Sequence, residues 1–288
     1  MFPNVFEYYR AGTVAEAISL LSKYGEDARP LSGGQSLVPL MKLRLVNPGV
    51  IVDLNPIPGL DYIRRTNGTI EIGGLVRHAE AEGSELIKSQ LPIAWDAAQL
   101  VGDMQVRNRG TVAGAVAEAD PGGDWGSVLM ALNAKVECQG PGGKRLVEAP
   151  DFYVDFLTTA LEPGEIVTGI HLPVLPGRSG GAYLKLERRS GDFAIVGAAV
   201  QVTLGADGSC QDVGIGLSGA GTTPIKPVEA EQALKGTKLT DADVAEAVRL
   251  LDGVIEPVTD VRASAEYRRA MTAVFFKRAL KAAQARVK

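Results

Sequence analysis

The stretch Pro30-Leu31-Ser32-Gly33-Gly34-Gln35-Ser36-Leu37 constrains the fold more than any other. It lies between a short strand predicted over 28–31 and a helix predicted over 35–45 that opens with Ser36. Adjacent glycines admit backbone conformations closed to other residues and let a ligand approach the peptide NH groups. A helix starting there would aim its unsatisfied NH groups, and the positive end of its dipole, at whatever fills the corner. A phosphate or pyrophosphate suits such a corner. A plain strand-to-helix turn is the other reading, because a Gly-Gly pair alone is a weak motif.

A second small-residue corner, Arg109-Gly110-Thr111-Val112-Ala113-Gly114-Ala115, leads into Ala119-Asp120-Pro121-Gly122-Gly123-Asp124-Trp125. Two such corners, about 80 residues apart, are expected to grip the two ends of one long phosphorylated ligand through backbone NH groups. Neither matches G-x-G-x-x-G or G-x-x-x-x-G-K-[ST], so the ordinary NAD and ATP fingerprints are absent.

Composition excludes several classes. Hydrophobic residues make up 45% of the 288 and charged residues 22%, a globular balance in a chain longer than one average domain. A net charge of −4 gives no electrostatic footprint for nucleic acid. No apolar run approaches the roughly 18 residues of a membrane span. The stretch Met1-Phe2-Pro3-Asn4-Val5-Phe6-Glu7 lacks a secretory pattern, which points to a reduced, cytoplasmic setting. Cys138 and Cys210 are too few for the four thiolates of an iron–sulfur cluster. With only His78 and His171 besides, no metal site is expected. No Ser/His/Asp or Cys/His constellation is found, so no catalytic residue is expected in this chain.

Periodicity predicts a helix over 13–24, capped by Thr13 with Glu16 in a capping box and ended by Gly25. A strand over 50–54 completes a small α/β unit ending near residue 55. Then come a strand over 69–72, helices over 79–88, 93–101 and 127–132, a hairpin of 135–138 with 145–147, and a strand over 166–172. The prolines and glycines of 173–181 mark the domain boundary. Strands over 182–186, 194–204 and 212–218 precede helices over 228–234, 241–251 and 264–283, giving an α+β carboxy-terminal domain. Arg268, Arg269, Lys277 and Arg278 read as a solvated helix face, and Arg107 and Arg109 either as loop supports or as a partner surface.

The whole chain resembles the FAD-binding medium subunit of the molybdenum hydroxylases, the xanthine dehydrogenase family, and most of all the medium subunit of aerobic carbon monoxide dehydrogenase and its relatives. That family carries Ala-Gly-Gly-His-Ser and Thr-Ile-Gly-Gly-Asn where this chain has Ser32-Gly33-Gly34-Gln35-Ser36 and Thr111-Val112-Ala113-Gly114-Ala115. The likeness includes Gln105-Val106-Arg107-Asn108-Arg109-Gly110-Thr111, Asp120-Pro121, Lys185-Leu186, Gly191-Asp192-Phe193-Ala194 and Ala265-Glu266-Tyr267-Arg268. Gln35 replaces a titratable His, Ala113 adds a methyl, and Ala115 replaces a hydrogen-bonding amide.

The resemblance implies an α+β fold: an FAD-binding domain of the p-cresol-methylhydroxylase/vanillyl-alcohol-oxidase type over 1–176, in subdomains of about 1–55 and 56–176. A carboxy-terminal domain over 180–288 would carry a three-stranded antiparallel sheet with helices. The implied cofactor is FAD, held by Leu31, Ser32, Gly33, Gly34, Gln35, Ser36, Thr111, Val112, Ala113, Gly114, Ala115, Asp124, Ile166, Lys185 and Phe193. On residue type alone Asp124 is a cap, Lys185 a surface lysine, and Ile166 and Phe193 packing residues; the resemblance brings them to the flavin. It further implies a small partner with two [2Fe–2S] clusters, a large partner with the molybdenum cofactor, a dimer of heterotrimers, an external electron acceptor, and a cytoplasmic place, with the inner face of the membrane as the finer alternative. Carbon monoxide leads as substrate of the complex, with N-heterocycles or aldehydes behind it. A stand-alone flavin reductase of the same fold and a flavin-free assembly subunit are the rival readings.

Overall fold

The computed structural model describes residues 2–287. The first unit comprises β1 (Glu7–Arg10), α1 (Val14–Tyr24), β2 (Ala28–Leu31), α2 (Leu37–Lys42) and β3 (Val50–Asp53), with one 3₁₀ turn at Gly25–Asp27. The strands form a parallel sheet in the order β1-β3-β2. The central strand buries Val50, Ile51 and Val52 alike, as a strand covered on both faces must. Thr13 caps α1 by accepting from Glu16 N at 3.1 Å. The Glu16 carboxylate reaches Gly12 N, one residue before the cap amide that a capping box would use. Ala17, Ile18 and Leu21 are buried, and Gly25, at φ 54°, ends the helix.

The second unit runs through β4 (Ile63–Thr66), β5 (Thr69–Gly73), α3 (His78–Glu82), α4 (Glu85–Gln90), α5 (Pro92–Leu100), α6 (Met104–Arg109), α7 (Val112–Glu118), α8 (Asp124–Leu132), β6 (Lys135–Gly140), β7 (Gly143–Glu148), α9 (Ala149–Phe152), the short pair β8 (Tyr153–Asp155) and β9 (Thr158–Thr159), and β10 (Ile166–Pro173). Its main sheet is antiparallel, ordered β4-β5-β10-β6-β7. The single helix expected over 79–88 is two, because Ser84 accepts from Ile87 N and starts a new helix after Gly83.

The third unit is a meander of β11 (Ser179–Leu186), β12 (Val196–Leu204) and β13 (Cys210–Ser218), followed by α10 (Val228–Leu234), α11 (Asp241–Asp252) and α12 (Ala265–Ala285). All pairs are antiparallel. Strand β11 begins inside the stretch read as a boundary, leaving 174–178 as the connection.

Helix α8 belongs to the second unit by sequence and packs on the sheet of the third. Gly214 and Gly216 of β13 lie so close to the carbonyls of Ala131 and Ser127 that a methyl on either would collide with the helix backbone. Two residues along a strand and four along a helix both span roughly 6–7 Å, so the glycines mesh with successive turns. The alternate residues of β13, Val213, Ile215 and Leu217, face the other way into a core shared with Phe276, Ala279 and Leu280 of α12. Arg268 departs from the expected solvated face. It is buried, donates to Ile195 O and pairs with Asp260 at 2.8 Å, because α12 lays this side against the sheet. Arg269 also turns inward, to Ile255 O and Asp252.

Candidate cofactor cleft

The two glycine corners touch. Ser32 Oγ lies 3.0 Å from Thr111 Oγ1. A Cβ on Gly33 would sit 2.5 Å from Arg109 O and 2.5 Å from Gly110 Cα. They therefore stand side by side as one cradle, which corrects the expectation of two corners set far enough apart to take opposite ends of a ligand. Local chemistry builds each side. Gly34 turns the chain at φ 72°, and α2 starts only at Leu37 and ends at Lys42, shorter than the 35–45 helix expected. The second corner is itself a helix start: Thr111 caps α7 by accepting from Gly114 N at 3.1 Å. Ala113 and Ala115 thus stand in the first turns of α7 and not in a free loop. Among the described residues, the amides of 32–36 donate to no protein acceptor. Such a run of open NH groups binds an anionic oxygen cluster without any side chain.

A cleft of about 440 Å³ opens over the cradle and reaches all three units. Leu31, Ser32, Gly33, Gly34, Gln35, Ser36, Thr111, Ala113, Gly114, Ala115, Asp124, Ile166, Lys185 and Phe193 all line it. Val112 does not: its side chain is buried in the core and its NH donates to Val76 O at 3.0 Å. The side chain follows the helix cap inward, so the corner's apolar residue is spent on packing.

Asp124 opens α8, and Tyr183 OH donates to its Oδ1 at 2.7 Å. Lys185 Nζ is 3.2 Å from the same carboxylate, donates to Leu100 O at 2.9 Å and lies 3.4 Å from Glu187. The Lys185 side chain is 1% exposed, the reverse of a surface lysine. Burial pushes the Asp124 carboxyl up to about 6, against the pull of Lys185 and the Tyr183 hydrogen bond. Phe193 stands 40% exposed, with the Arg262 guanidinium 5.5 Å from its ring centroid.

Burial shifts three of the other titratable lining groups, His78, Glu118 and Asp120. His78 accepts from Trp125 Nε1 through Nδ1 at 3.1 Å. Burial, with Arg107 and Arg77 nearby, pushes it down to about 4, so it is neutral with its proton on Nε2. Glu118 and Asp120 are pushed up by burial. Glu118 lies one helical turn beyond Gly114 and Ala115, so the i,i+3 and i,i+4 spacing of α7 would have pointed to it. His78 has no such signal, because its place is set by packing against Trp125. Arg107 supports the loop: it binds Glu82 at 2.8 Å and the carbonyls of Val101 and Gly102. The Cys, His, Asp and Glu side chains of the described residues form no group of three or more able to hold a metal ion.

The family described as the FAD binding domain in molybdopterin dehydrogenase matches residues 4–175, and the CO dehydrogenase flavoprotein C-terminal domain matches 181–283. The chain belongs to this family. It is an FAD-binding subunit of a molybdenum hydroxylase, an oxidoreductase. It is 41% identical over 288 residues, covering 100% of both chains, to the carbon monoxide dehydrogenase medium chain of Afipia carboxidovorans. It is 40% identical to the 6-hydroxypseudooxynicotine dehydrogenase complex subunit alpha of Paenarthrobacter nicotinovorans, covering 93% of this chain and 90% of that one. The crystal structure of the Cu,Mo-CO dehydrogenase matches at a TM-score of 0.97 and 41% identity, covering 99% of each chain. That of quinoline 2-oxidoreductase from Pseudomonas putida 86 matches at 0.92 and 30%, covering 100% of each. The α+β architecture with its three-stranded antiparallel carboxy-terminal sheet is the one expected. The residues present fit FAD: the open amides and the close backbone approach at Gly33 suit its diphosphate, and the cleft runs on from there to Lys185 and Phe193.

Proposed function

We propose that this chain forms the last intramolecular station of a carbon monoxide-oxidising complex. A small partner with two [2Fe–2S] clusters delivers electrons, a large partner with the molybdenum cofactor oxidises the substrate, and the assembly is a dimer of heterotrimers in the cytoplasm. FAD supplies a two-electron store that couples one-electron delivery to an external acceptor. The chain's own residues bind and orient it. The amides of 32–36 and the α7 corner take the diphosphate, Ile166 packs on the cofactor, and Lys185 balances negative charge from its fixed place beside Asp124 and Leu100 O. Phe193 stands at the exposed side, where an acceptor would approach.

The observation that carries the flavin assignment is the contact between the two corners, which makes one anion cradle from segments distant in sequence. Carbon monoxide is supported by the full-length 41% likeness. The 40% and 37% likenesses to the 6-hydroxypseudooxynicotine dehydrogenase subunit and to the glyceraldehyde dehydrogenase medium chain of Sulfolobus acidocaldarius support a second reading, an N-heterocycle or aldehyde substrate. We also place the domain boundary at 176–180, where the connection of 174–178 runs into β11. The test is reconstitution with both partners. Carbon monoxide should bleach the flavin absorbance only when the small partner is present. Bleaching by nicotine-type heterocycles or aldehydes and not by carbon monoxide would move the assignment to the second reading. Substrate-driven bleaching of this chain alone would overturn the subunit role.

A further inference from the structure

Outside the cleft lining, a hydrogen-bonded chain ties one corner to the other. Asn55 follows β3. Its Nδ2 donates to Ser32 O at 2.9 Å and to Asp53 Oδ1 at 2.5 Å, and its Oδ1 accepts from Arg77 Nη2 at 2.5 Å. A carboxamide has two N–H donors and one carbonyl acceptor. Turned over, it would set NH₂ against the guanidinium and oxygen against two oxygens, so only one orientation fits. Arg77 Nη1 donates to Arg109 O, the carbonyl that lies against Gly33. The path Ser32–Asn55–Arg77–Arg109 therefore spans from the first corner to the second. Its base is firm: Asp53 is buried and also accepts from Tyr8 OH at 2.5 Å and from Asn55 N at 3.0 Å.

Arg77 has a second property. Its guanidinium binds only neutral oxygens and makes no ion pair among the described residues. A half-buried positive charge thus stands in no direct ion pair near the open amides of 32–36, with Glu80 and Asp53 as the carboxylates that act on it at longer range.

We propose that Asn55 and Arg77 are positioning residues for the cofactor: a brace that sets the gap between the corners and holds a positive charge, free of any direct ion pair, behind the amides that take the diphosphate. The proposal rests on the flavin assignment and adds residues that do not line the cleft. Preorganised donors lose less on binding than donors that must be gathered, so the brace should show in affinity.

The test is FAD titration of the full-length chain stripped of flavin, followed by fluorescence, beside thermal unfolding of the same flavin-free chain. Asn55→Asp keeps the shape and the acceptor for Arg77 but turns both donors into a carboxylate facing Ser32 O and Asp53. Arg77→Met removes the fork and the charge, and Arg77→Lys keeps the charge alone. Expected are a weakening of FAD binding by about tenfold or more for Asn55→Asp and Arg77→Met, and an intermediate loss for Arg77→Lys. Arg77→Met should also flatten the salt dependence of the FAD dissociation constant, with flavin-free melting unchanged. An Arg77→Met chain that binds FAD within about twofold of the parent overturns the proposal. So does a loss of affinity matched by a fall in flavin-free melting, which would make the brace a general stabiliser. If Asn55→Asp does not fold, the two variants at half-exposed Arg77 decide by the same criteria. A parent chain that takes up no FAD would overturn the flavin assignment, and the brace with it.

Discussion

Gly33→Ala tests the contact between the corners most directly. Gly33 is not among the residues with a left-handed φ, so the methyl adds no backbone strain of its own. It would lie 2.5 Å from Arg109 O and 2.5 Å from Gly110 Cα, main-chain atoms that cannot rotate aside. Ordinary contact begins at 3.4 Å, so the corners must part by roughly 1 Å. The Ser32–Thr111 hydrogen bond, 3.0 Å long now, does not survive that separation. Overpacking of this kind costs about 1–3 kcal/mol. Where it falls on the cradle, 1.4 kcal/mol per tenfold makes the FAD dissociation constant rise by roughly tenfold to a hundredfold. Gly34→Ala is the control. At φ 72° it adds left-handed strain of about 1–2 kcal/mol. Its methyl meets only the side-chain ends of Leu31 and Val38, at 3.0 and 3.2 Å, which can move. Gly34→Ala should lower the melting temperature more than the affinity, and Gly33→Ala the reverse. Acid-released FAD per chain and a fluorescence titration read both. A Gly33→Ala chain with a full FAD complement and the parent affinity would refute the idea that the corners close on one ligand segment.

Four other outcomes are expected. Ala115→Asn should preserve or tighten FAD binding in the same titration, because the position lines the cleft and gains an amide; Ala113→Gly, in the first turn of α7, should lower stability by about 0.5–1 kcal/mol. The Asp124 carboxyl is raised from 3.8 to about 6 in the fold, so its protonated form favours folding: its contribution is full below pH 3.8 and is lost as pH rises through about 6. Asp124→Asn, which mimics the neutral form, should remove that fall from the pH profile of flavin-free unfolding. Phe276→Ala, emptying a fully buried site between α12 and the carboxy-terminal sheet, should cost about 3–5 kcal/mol in denaturant unfolding without changing the number of FAD sites.

What could be read from the sequence followed from local rules. Thr13, Gly25, the apolar run of β3 and the hairpin at Pro141-Gly142 each carry their own signal, and the elements formed as their chemistry requires. Strand β1 was not legible: three of its four residues are exposed, and it is a strand because it pairs with β3. The break between α3 and α4 was hidden by an apolar periodicity that continues across Gly83 and Ser84. At the site, glycine corners and helix starts showed in the residue types. Their mutual contact did not, because Gly33 and Gly110 are 77 positions apart and meet only through the tertiary fold. Lys185 and Arg268 are the clearest failures of composition. Both are cations, and both are buried against partners supplied by the fold: Asp124 and Leu100 O for Lys185, and Ile195 O with Asp260 for Arg268, whose Nε stays unpartnered.

The packing of α8 on β13 bears on the order in which the molecule is made. Every residue lining the cleft lies at or before Phe193 and leaves the ribosome ahead of β12, β13 and α12. Until Gly214 and Gly216 arrive, the back of α8 has no sheet to rest on. The clamp of Arg286 on Asp96 and Gly181 O, which ties α12 to α5 and β11, comes later still. A nascent chain therefore carries every lining residue while the sheet that backs α8 is still being translated, so Asp124 and the cleft around it take their final form only after the carboxy-terminal strands have been made.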